Sequence, residues 1–495
     1  MKKLLKKKFI YEPHHMNFRW RVNFLFLACF FLRLCFTGKY LDSCDSIDFA
    51  LGLQDYDLSQ FQPHFPGYPV YIFISRLFFK VFRDDVWALT MPGVLFGSLT
   101  IFPLSLLAKH LFSEKIAILT ALFYLLNPLC WLQSERPTSD TMGLFFVIVS
   151  ACLLCYACTT AHKGCIFWGS LALGFGLGTR ISNFPFIAVW AASLFYITTL
   201  KVPREKRALS LGLLGLTIGI ITWLFPQIGY VGWRPFWQNG FVFSHGHFTD
   251  WGGSVITFGG LDRIICLAKS IWAYGLGGWW YDSSVLRLIP SVIMAISLYW
   301  FLKYRRVDRR VRFLGAYVLP YLLWVILGQN VANPRHILPI IPLLLMMIAY
   351  GLCKAGERDY KGIALILTLS LIMSMAVTSF RLVIKYHQEV PAPIQIIQWI
   401  ERQGNPLSLR IYCSDEKRFF DYYAPQWDVR KVRDITEVQR DLLSSLDNPQ
   451  QILLVHSFGE IRQFGITHPP RVTIKGNPYT DSTREGLLLY TLTGL

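Results

Sequence analysis

From residue 18 to residue 384 the chain is a succession of apolar runs broken by short polar stretches. A helix of about 20 apolar residues crosses roughly 30 Å of hydrocarbon, so each run predicts a membrane span. Eleven are predicted, near residues 18–37, 86–108, 115–133, 141–161, 164–180, 184–200, 208–226, 284–302, 311–329, 337–355 and 362–384. The stretch "DRIICLAKSIWAYGLGGWW" (262–280) is apolar enough to lie in the membrane interface or to cross it. A single extra crossing would put the later basic loops on the wrong side, whereas two would give thirteen spans. After residue 386 the period changes. "APIQIIQWIERQG" and "EVQRDLLSSL" have helical spacing, and "SLRIYCS", "QILLVHS", "RVTIK" and "LLLYTL" read as short strands. The pattern predicts a polytopic α-helical membrane domain over residues 1–385 and a small external α/β domain over 386–495.

Composition agrees, with 53% hydrophobic and 16% charged residues, a balance that soluble domains do not show. The net charge of +18 would suit nucleic acid, but its placement points to the membrane surface and to no nucleic-acid partner. "MKKLLKKK", "KVPREKR" and "KYRRVDRRVR" fall in alternate loops, so the positive-inside rule makes the N-terminus cytoplasmic and the region after 386 external. The opening apolar run lacks a small-residue cleavage site, which predicts an uncleaved first span. "CLLCYAC" (152–158) has the spacing of iron–sulfur ligands, but it lies inside an apolar span and reads as packing. Cys44 and Cys413, both placed outside, could pair only if the fold brings them together.

The polar chemistry gathers on the predicted external side. "DSCDSIDFALGLQDYDLSQFQPHFPGYPVY" (42–71) holds five aspartates and a histidine directly behind the first span. Helical i, i+3 spacing would put Asp45 and Asp48 on one face. Glu135, Arg136 and Asp140 lie in the next external loop, Arg180 at the third, and Arg335 and His336 before the tenth span. Arginines there break the charge rule and suit a phosphate, which a guanidinium grips bidentately. Carboxylates beside phosphate-binding cations suggest a general base working next to a phosphate leaving group. Six of the sixteen tryptophans fall in the loop 227–283, where aromatic faces serve interface anchoring or a sugar ring. In that loop, His245, His247 and Trp251 are candidate substrate contacts, and His245, His247 and Asp250 a conceivable metal site.

Four of these motifs carry a family resemblance. "DSIDFA" followed by "HFPGYPVYIFISRLF", then "ERPTSD", "GLGTRISNFPF" and "NPRHILPIIPLLLMM", occur in the order found in GT-C glycosyltransferases that use polyprenyl-phosphate sugars. Over roughly residues 20–385 the chain resembles the protein O-mannosyltransferases and the aminoarabinose transferases that modify lipid A. The resemblance implies a GT-C membrane fold and sugar transfer from a polyprenyl-phosphate donor to a hydroxyl of a lipid, glycan or protein acceptor, with inversion. It makes Asp45 the catalytic base and Asp140 a second acid, and turns His64, Arg180, Arg335 and Arg136 toward the donor phosphate. Ser46 stands where many relatives carry a second acid, and Asp48 is the candidate to replace it. The chemistry requires no cofactor, although some relatives use a divalent metal. The competing class is a lipid or lipid-linked sugar flippase, which should carry polar or broken helices at mid-membrane; none is evident in the sequence.

Overall fold

The computed structural model describes residues 13–200, 205–305, 309–358, 360–403, 409–444, 451–457, 464, 466, 469–477, 479–480 and 486–492. "MKKLLKKK" and parts of the other two basic loops therefore lie outside the described residues.

All eleven predicted spans are helical. In chain order the helices of the first half are α1 (Pro13–Cys35), α2 (Cys44–Gln54), α3 (Pro69–Phe82), α4 (Asp85–Leu99), α5 (Ile101–Leu111), α6 (Glu114–Leu126), α7 (Pro128–Ser134), α8 (Asp140–Thr160), α9 (Lys163–Thr179), α10 (Phe186–Phe195) and α11 (Ala208–Val231). They are followed by α12 (Trp233–Thr249), α13 (Gly260–Lys269), α14 (Leu288–Tyr304), α15 (Arg309–Gly328), α16 (Ile341–Glu357) and α17 (Lys361–Gln388). Among the described residues, eight stretches are long and apolar enough to cross a membrane, and α6 with α7, bent by 60°, makes a ninth if counted as one. The bend has a local cause. Pro128 cannot continue the ladder, and Asn127 caps the new helix by accepting from the Cys130 N–H at 2.9 Å. Of the other two predicted spans, α9 has only 17 residues, and α1 carries Arg19, Arg21 and Arg33.

Among the described residues, no helix within 227–283 is long and apolar enough to cross a membrane. Helix α13 has 10 residues and runs into a π-helical turn that ends at Gly275. The predicted loop 227–283 is mostly helix, because α12, "WRPFWQNGFVFSHGHFT", occupies its first half. Many large apolar side chains point outward, including Phe24, Leu213, Phe225, Leu319 and Ile366, as a lipid-facing surface requires.

Two of these helices approach at glycines. A Cβ on Gly174 would sit 2.7 Å from Gly219 Cα, and one on Gly215 would strike the Phe167 carbonyl. Small residues thus let α9 and α11 pack backbone to backbone, and this contact fixes the end of α9, where Arg180 caps the helix.

Beyond α17 come α18 (Ala392–Gln403), β1 (Leu409–Cys413), α19 (Lys417–Tyr423), β2 (Asp428–Lys431), α20 (Ile435–Ser444), β3 (Gln451–Ser457), β4 (Val472–Lys475) and β5 (Gly486–Leu492). The sheet order is β2-β1-β3-β5-β4. β1 runs parallel to β2 and β3, and β5 pairs antiparallel with β3 and β4. Helices α19 and α20 supply the crossovers that parallel neighbours need. The sequence pattern identified β1, β3, β4 and β5, along with α18 and α20, but not β2 or α19. Strand β2 is an edge strand of sequence "DVRK" with exposed ends and no apolar alternation to read. One hydrophobic cluster runs from Ile47, Phe49 and Tyr71 into Ile396, Leu409, Phe419 and Phe420, so the sheet region and the 42–71 segment share a core.

Candidate active site

The polar segment behind α1 is built around α2. Its N-cap is Ser43, whose hydroxyl accepts from the Ser46 N–H at 3.3 Å while the Ser43 N–H donates to Ser46 Oγ at 3.0 Å. This is a capping box, and it gives Ser46 a structural task. With Ser46 turned to the cap, Asp45 and Asp48 project together one helical turn apart, as their spacing predicted. Cys44 and Cys413 form no disulfide, and neither do Cys152, Cys155 and Cys158.

Asp45 meets Arg335, with Oδ2 at 2.6 Å from Nη1. Arg335 sits in a short 3-10 segment, Pro334–Ile340, capped by Asn333. The next residue braces it: His336 Nδ1 lies 2.9 Å from the Asn330 carbonyl, and the Tyr321 hydroxyl donates to the His336 carbonyl at 3.0 Å. Burial alone would push the Asp45 carboxyl up, but Arg335 first, then His64 and Arg180, hold it well below the usual carboxylate range. A second pair forms between Asp140 and Arg180, 3.2 Å apart. Asp140 opens α8, where the helix dipole favours a carboxylate. Arg180 Nε donates to Ser182 Oγ at 3.0 Å.

Between the pairs lies a dyad. His64 Nδ1 is 3.0 Å from Asp48 Oδ2, and Nε2 is 2.9 Å from the Tyr68 hydroxyl. With the proton on Nδ1 donated to the carboxylate, Nε2 accepts from Tyr68. Burial pushes the Asp48 carboxyl above its ordinary range, against the His64 hydrogen bond and the charges of His64 and Arg418. Tyr68 is a site residue that the sequence reading missed. It is buried, it feels the charges of Arg180, Asp45, Arg335 and Asp140 together, and it holds a left-handed backbone at φ 47°. A bulky residue held there indicates a constrained position. Gly67, just before it, has φ +88°, and a Cβ there would strike the Tyr56 hydroxyl and the Gln227 amide. The "PGY" turn therefore needs its glycine. Helix α12 closes the dyad from above, since Phe243 stacks on His64 at 5.6 Å.

Asp45, Asp48, Asp140, His64, Arg180 and Arg335, far apart in sequence, thus come together. Arg136 is placed elsewhere. Its Nε and Nη2 donate to Asp42 at 2.6 and 3.2 Å, the Tyr386 hydroxyl donates to the same carboxylate at 3.0 Å, and the side chains of Asp42 and Arg136 are almost wholly buried. Glu135 is also buried, accepting from the Trp131 indole. In α12, His247 Nε2 lies 2.7 Å from the Gly328 carbonyl, to which it donates, and its ring meets Trp251 edge-on at 5.3 Å. His245 is exposed and pairs with Thr249 in its own helix, while Trp251 is exposed. Among the described residues no group of three His, Cys, Asp or Glu side chains is arranged to hold a metal ion, so the His245, His247 and Asp250 trio does not assemble.

Residues 63–226 match the family model described as dolichyl-phosphate-mannose-protein mannosyltransferase. That stretch includes His64, Asp140 and Arg180 but neither Asp45 nor Arg335, whose place rests on geometry. No curated protein matches the chain. Among solved structures, ArnT from Cupriavidus metallidurans in the apo state is similar at TM-score 0.56 and 15% identity, over 96% of this chain and 98% of that one. The same protein bound to undecaprenyl phosphate gives 0.53 and 14%, over 94% and 97%. The archaeal oligosaccharyltransferase AglB from Archaeoglobus fulgidus, in complex with an inhibitory peptide and a dolichol-phosphate, gives 0.50 and 10%, over 89% and 69%. The chain is therefore a multi-span membrane protein with the GT-C fold.

Proposed function

We propose that the protein is an integral membrane glycosyltransferase that moves a sugar from a polyprenyl-phosphate donor to an acceptor hydroxyl, with Asp45 as base. The observation that carries this reading is the pair of acid–arginine contacts, Asp45–Arg335 and Asp140–Arg180, near the buried Tyr68. Arg335 Nε and Asp140 Oδ2 are buried yet have no hydrogen-bond partner in the protein. Buried polar atoms left so are places for ligand atoms.

In this reading the donor phosphate competes for the two guanidiniums. Asp45, relieved of Arg335, regains its basicity and takes the acceptor proton. The acceptor oxygen bonds to the anomeric carbon as the carbon–oxygen bond to phosphate breaks, and the electron pair leaves with the polyprenyl phosphate, held by Arg335 and Arg180. Attack opposite the leaving group inverts the centre. No general acid is required, because the phosphate departs already stabilised. A divalent ion would assist the same leaving group, but no step needs one. The loop charges support an external site with a cytoplasmic N-terminus. His247 on α12 and Trp251 just beyond its end both meet the ring of Phe243, which stacks on His64, and are candidate sugar contacts.

The test uses purified protein in nanodiscs with a radiolabelled sugar supplied either on polyprenyl phosphate or on a nucleotide. Label passing to an acceptor from the lipid donor alone is the expected result. Transfer from the nucleotide alone would overturn the proposal, and so would translocation of intact lipid-linked sugar without cleavage, which would mark a flippase.

A further inference from the structure

The sheet region reaches into this site through α19. Arg418, on that helix, puts Nε 3.3 Å from Asp48 Oδ1. The two groups are not aligned as a hydrogen bond, and Oδ1 stays buried without a hydrogen-bond partner. The same guanidinium donates from Nη2 to the Gln60 carbonyl at 2.9 Å and lies over the Phe61 ring at 5.6 Å. Around it α19 and the turn before it hold the start of the 41–60 segment and the start of α4. The Leu41 N–H donates to the Tyr423 hydroxyl at 3.0 Å, the Cys44 thiol faces the Asp415 carbonyl at 3.6 Å, and the Tyr422 hydroxyl donates to Asp85 at 2.6 Å.

We infer that Arg418 is a positioning residue of the active site: supplied by the C-terminal region, it keeps Asp48 ionised and so keeps His64 and Tyr68 oriented between the two acid–arginine pairs. The reasoning is electrostatic. Asp48 is nearly enclosed, so its charge must be met by neighbours. The charged or titratable groups facing it are His64 from the loop after α2, Arg418 from α19 and Asp45 one turn back on α2. Asp45 repels, and His64 is a cation only when protonated, which leaves Arg418 as the permanent countercharge. Without it a proton would settle on Asp48, the carboxylate would no longer take the Nδ1 proton, and the tautomer that lets Tyr68 donate to Nε2 would lose its anchor. The sequence offers no hint of this, since Arg418 lies 370 positions beyond Asp48 in a helix that the pattern did not reveal.

The inference rests on the glycosyltransferase reading, and two measurements separate them. In the transfer assay, Arg418→Gln should raise the pH of the acid limb of kcat/KM by about one unit and so lower activity up to about tenfold on that limb. Arg418→Lys should restore most of both, and Arg418→Gln should change neither in an Asp48→Asn background. The second measurement needs no turnover: the ring signals of His64 in 13C-histidine protein, assigned with His64→Gln, should titrate differently in Arg418→Gln. A loss equal at every pH, or one that persists undiminished in the Asp48→Asn background, would overturn the inference, as would an unmoved His64 titration. If transfer is absent from the wild type but the His64 titration moves, the transferase reading falls and the role of Arg418 stands.

Discussion

Two acid–arginine pairs begin three residues apart on the same segment, and their surroundings differ. Asp42 and Arg136 meet at 2.6 Å with side chains 3% and 0% exposed, and Asp45 and Arg335 meet at the same 2.6 Å with 26% and 14% exposed. Contact distance does not tell them apart; completeness does. Arg136 grips Asp42 with two nitrogens, its third nitrogen reaches Gln133, and Tyr386 adds a second hydrogen bond to Oδ2. Arg335 holds Asp45 through one nitrogen and leaves Nε unpartnered. A satisfied, sealed pair cannot release either member without stranding a buried charge. On the proposed reading, a half-open pair with a spare donor trades its carboxylate for a phosphate at little cost, so the first pair acts as a clamp and the second as a switch.

The largest expected effect divides the two. Asp45→Asn keeps shape but removes the base, so turnover should fall by about 10² to 10⁴ with little change in the melting temperature. Asp42→Asn should do the reverse, because stranding the Arg136 charge costs about 3–5 kcal/mol of stability, read as lost detergent-resistant fold. Measured side by side in the transfer assay and by thermal unfolding, the variants would break the comparison if Asp42→Asn proved stable but inactive while Asp45→Asn kept its turnover.

That contrast was only partly legible in the sequence. The eleven apolar runs gave the helices, because burial in lipid writes a strong pattern. The i, i+3 spacing placed Asp45 and Asp48 together, and the position of Arg180 at the end of a glycine-rich helix pointed to the bundle end. Arg136 read the same as Arg335, since nothing in "SERPTSD" shows that its guanidinium would be sealed against a segment almost a hundred residues earlier. The aromatic "YP" of residues 68–69 looked like ordinary turn chemistry; only the left-handed backbone at Tyr68 and its bond to His64 reveal it as part of the site. Helix α12 was lost because tryptophans, glycines and histidines blur its period.

Of intermediate size is the response of donor affinity. Arg335→Ala removes charge-assisted hydrogen bonds worth about 1.5–3 kcal/mol to a phosphate, so polyprenyl phosphate should bind roughly tenfold to a hundredfold more weakly. Arg180→Ala should act in the same direction. Arg136→Lys should leave donor affinity alone even where it lowers stability. Titration of each purified variant with the lipid phosphate decides the matter, and equal weakening by the Arg136 and Arg335 changes would erase the distinction between clamp and switch.

The smallest effect is the sharpest test of the sealed pair. Tyr386→Phe deletes one hydroxyl and leaves Arg136 still holding Asp42 through two nitrogens, so no charge is stranded and no base is touched. A hydrogen bond to a charged group contributes about 1.5–3 kcal/mol, and the loss here should fall toward the lower end because the carboxylate keeps its main partner. Thermal unfolding should register that loss while kcat and KM for the lipid donor remain those of the wild type. Tyr386 closes α17 against the segment that leads into α2, so if the clamp also tuned the switch, its loosening would reach Asp45 through only three residues. A changed KM in Tyr386→Phe would mean that the two pairs are coupled, and that the rigid one sets how readily Asp45 gives up Arg335.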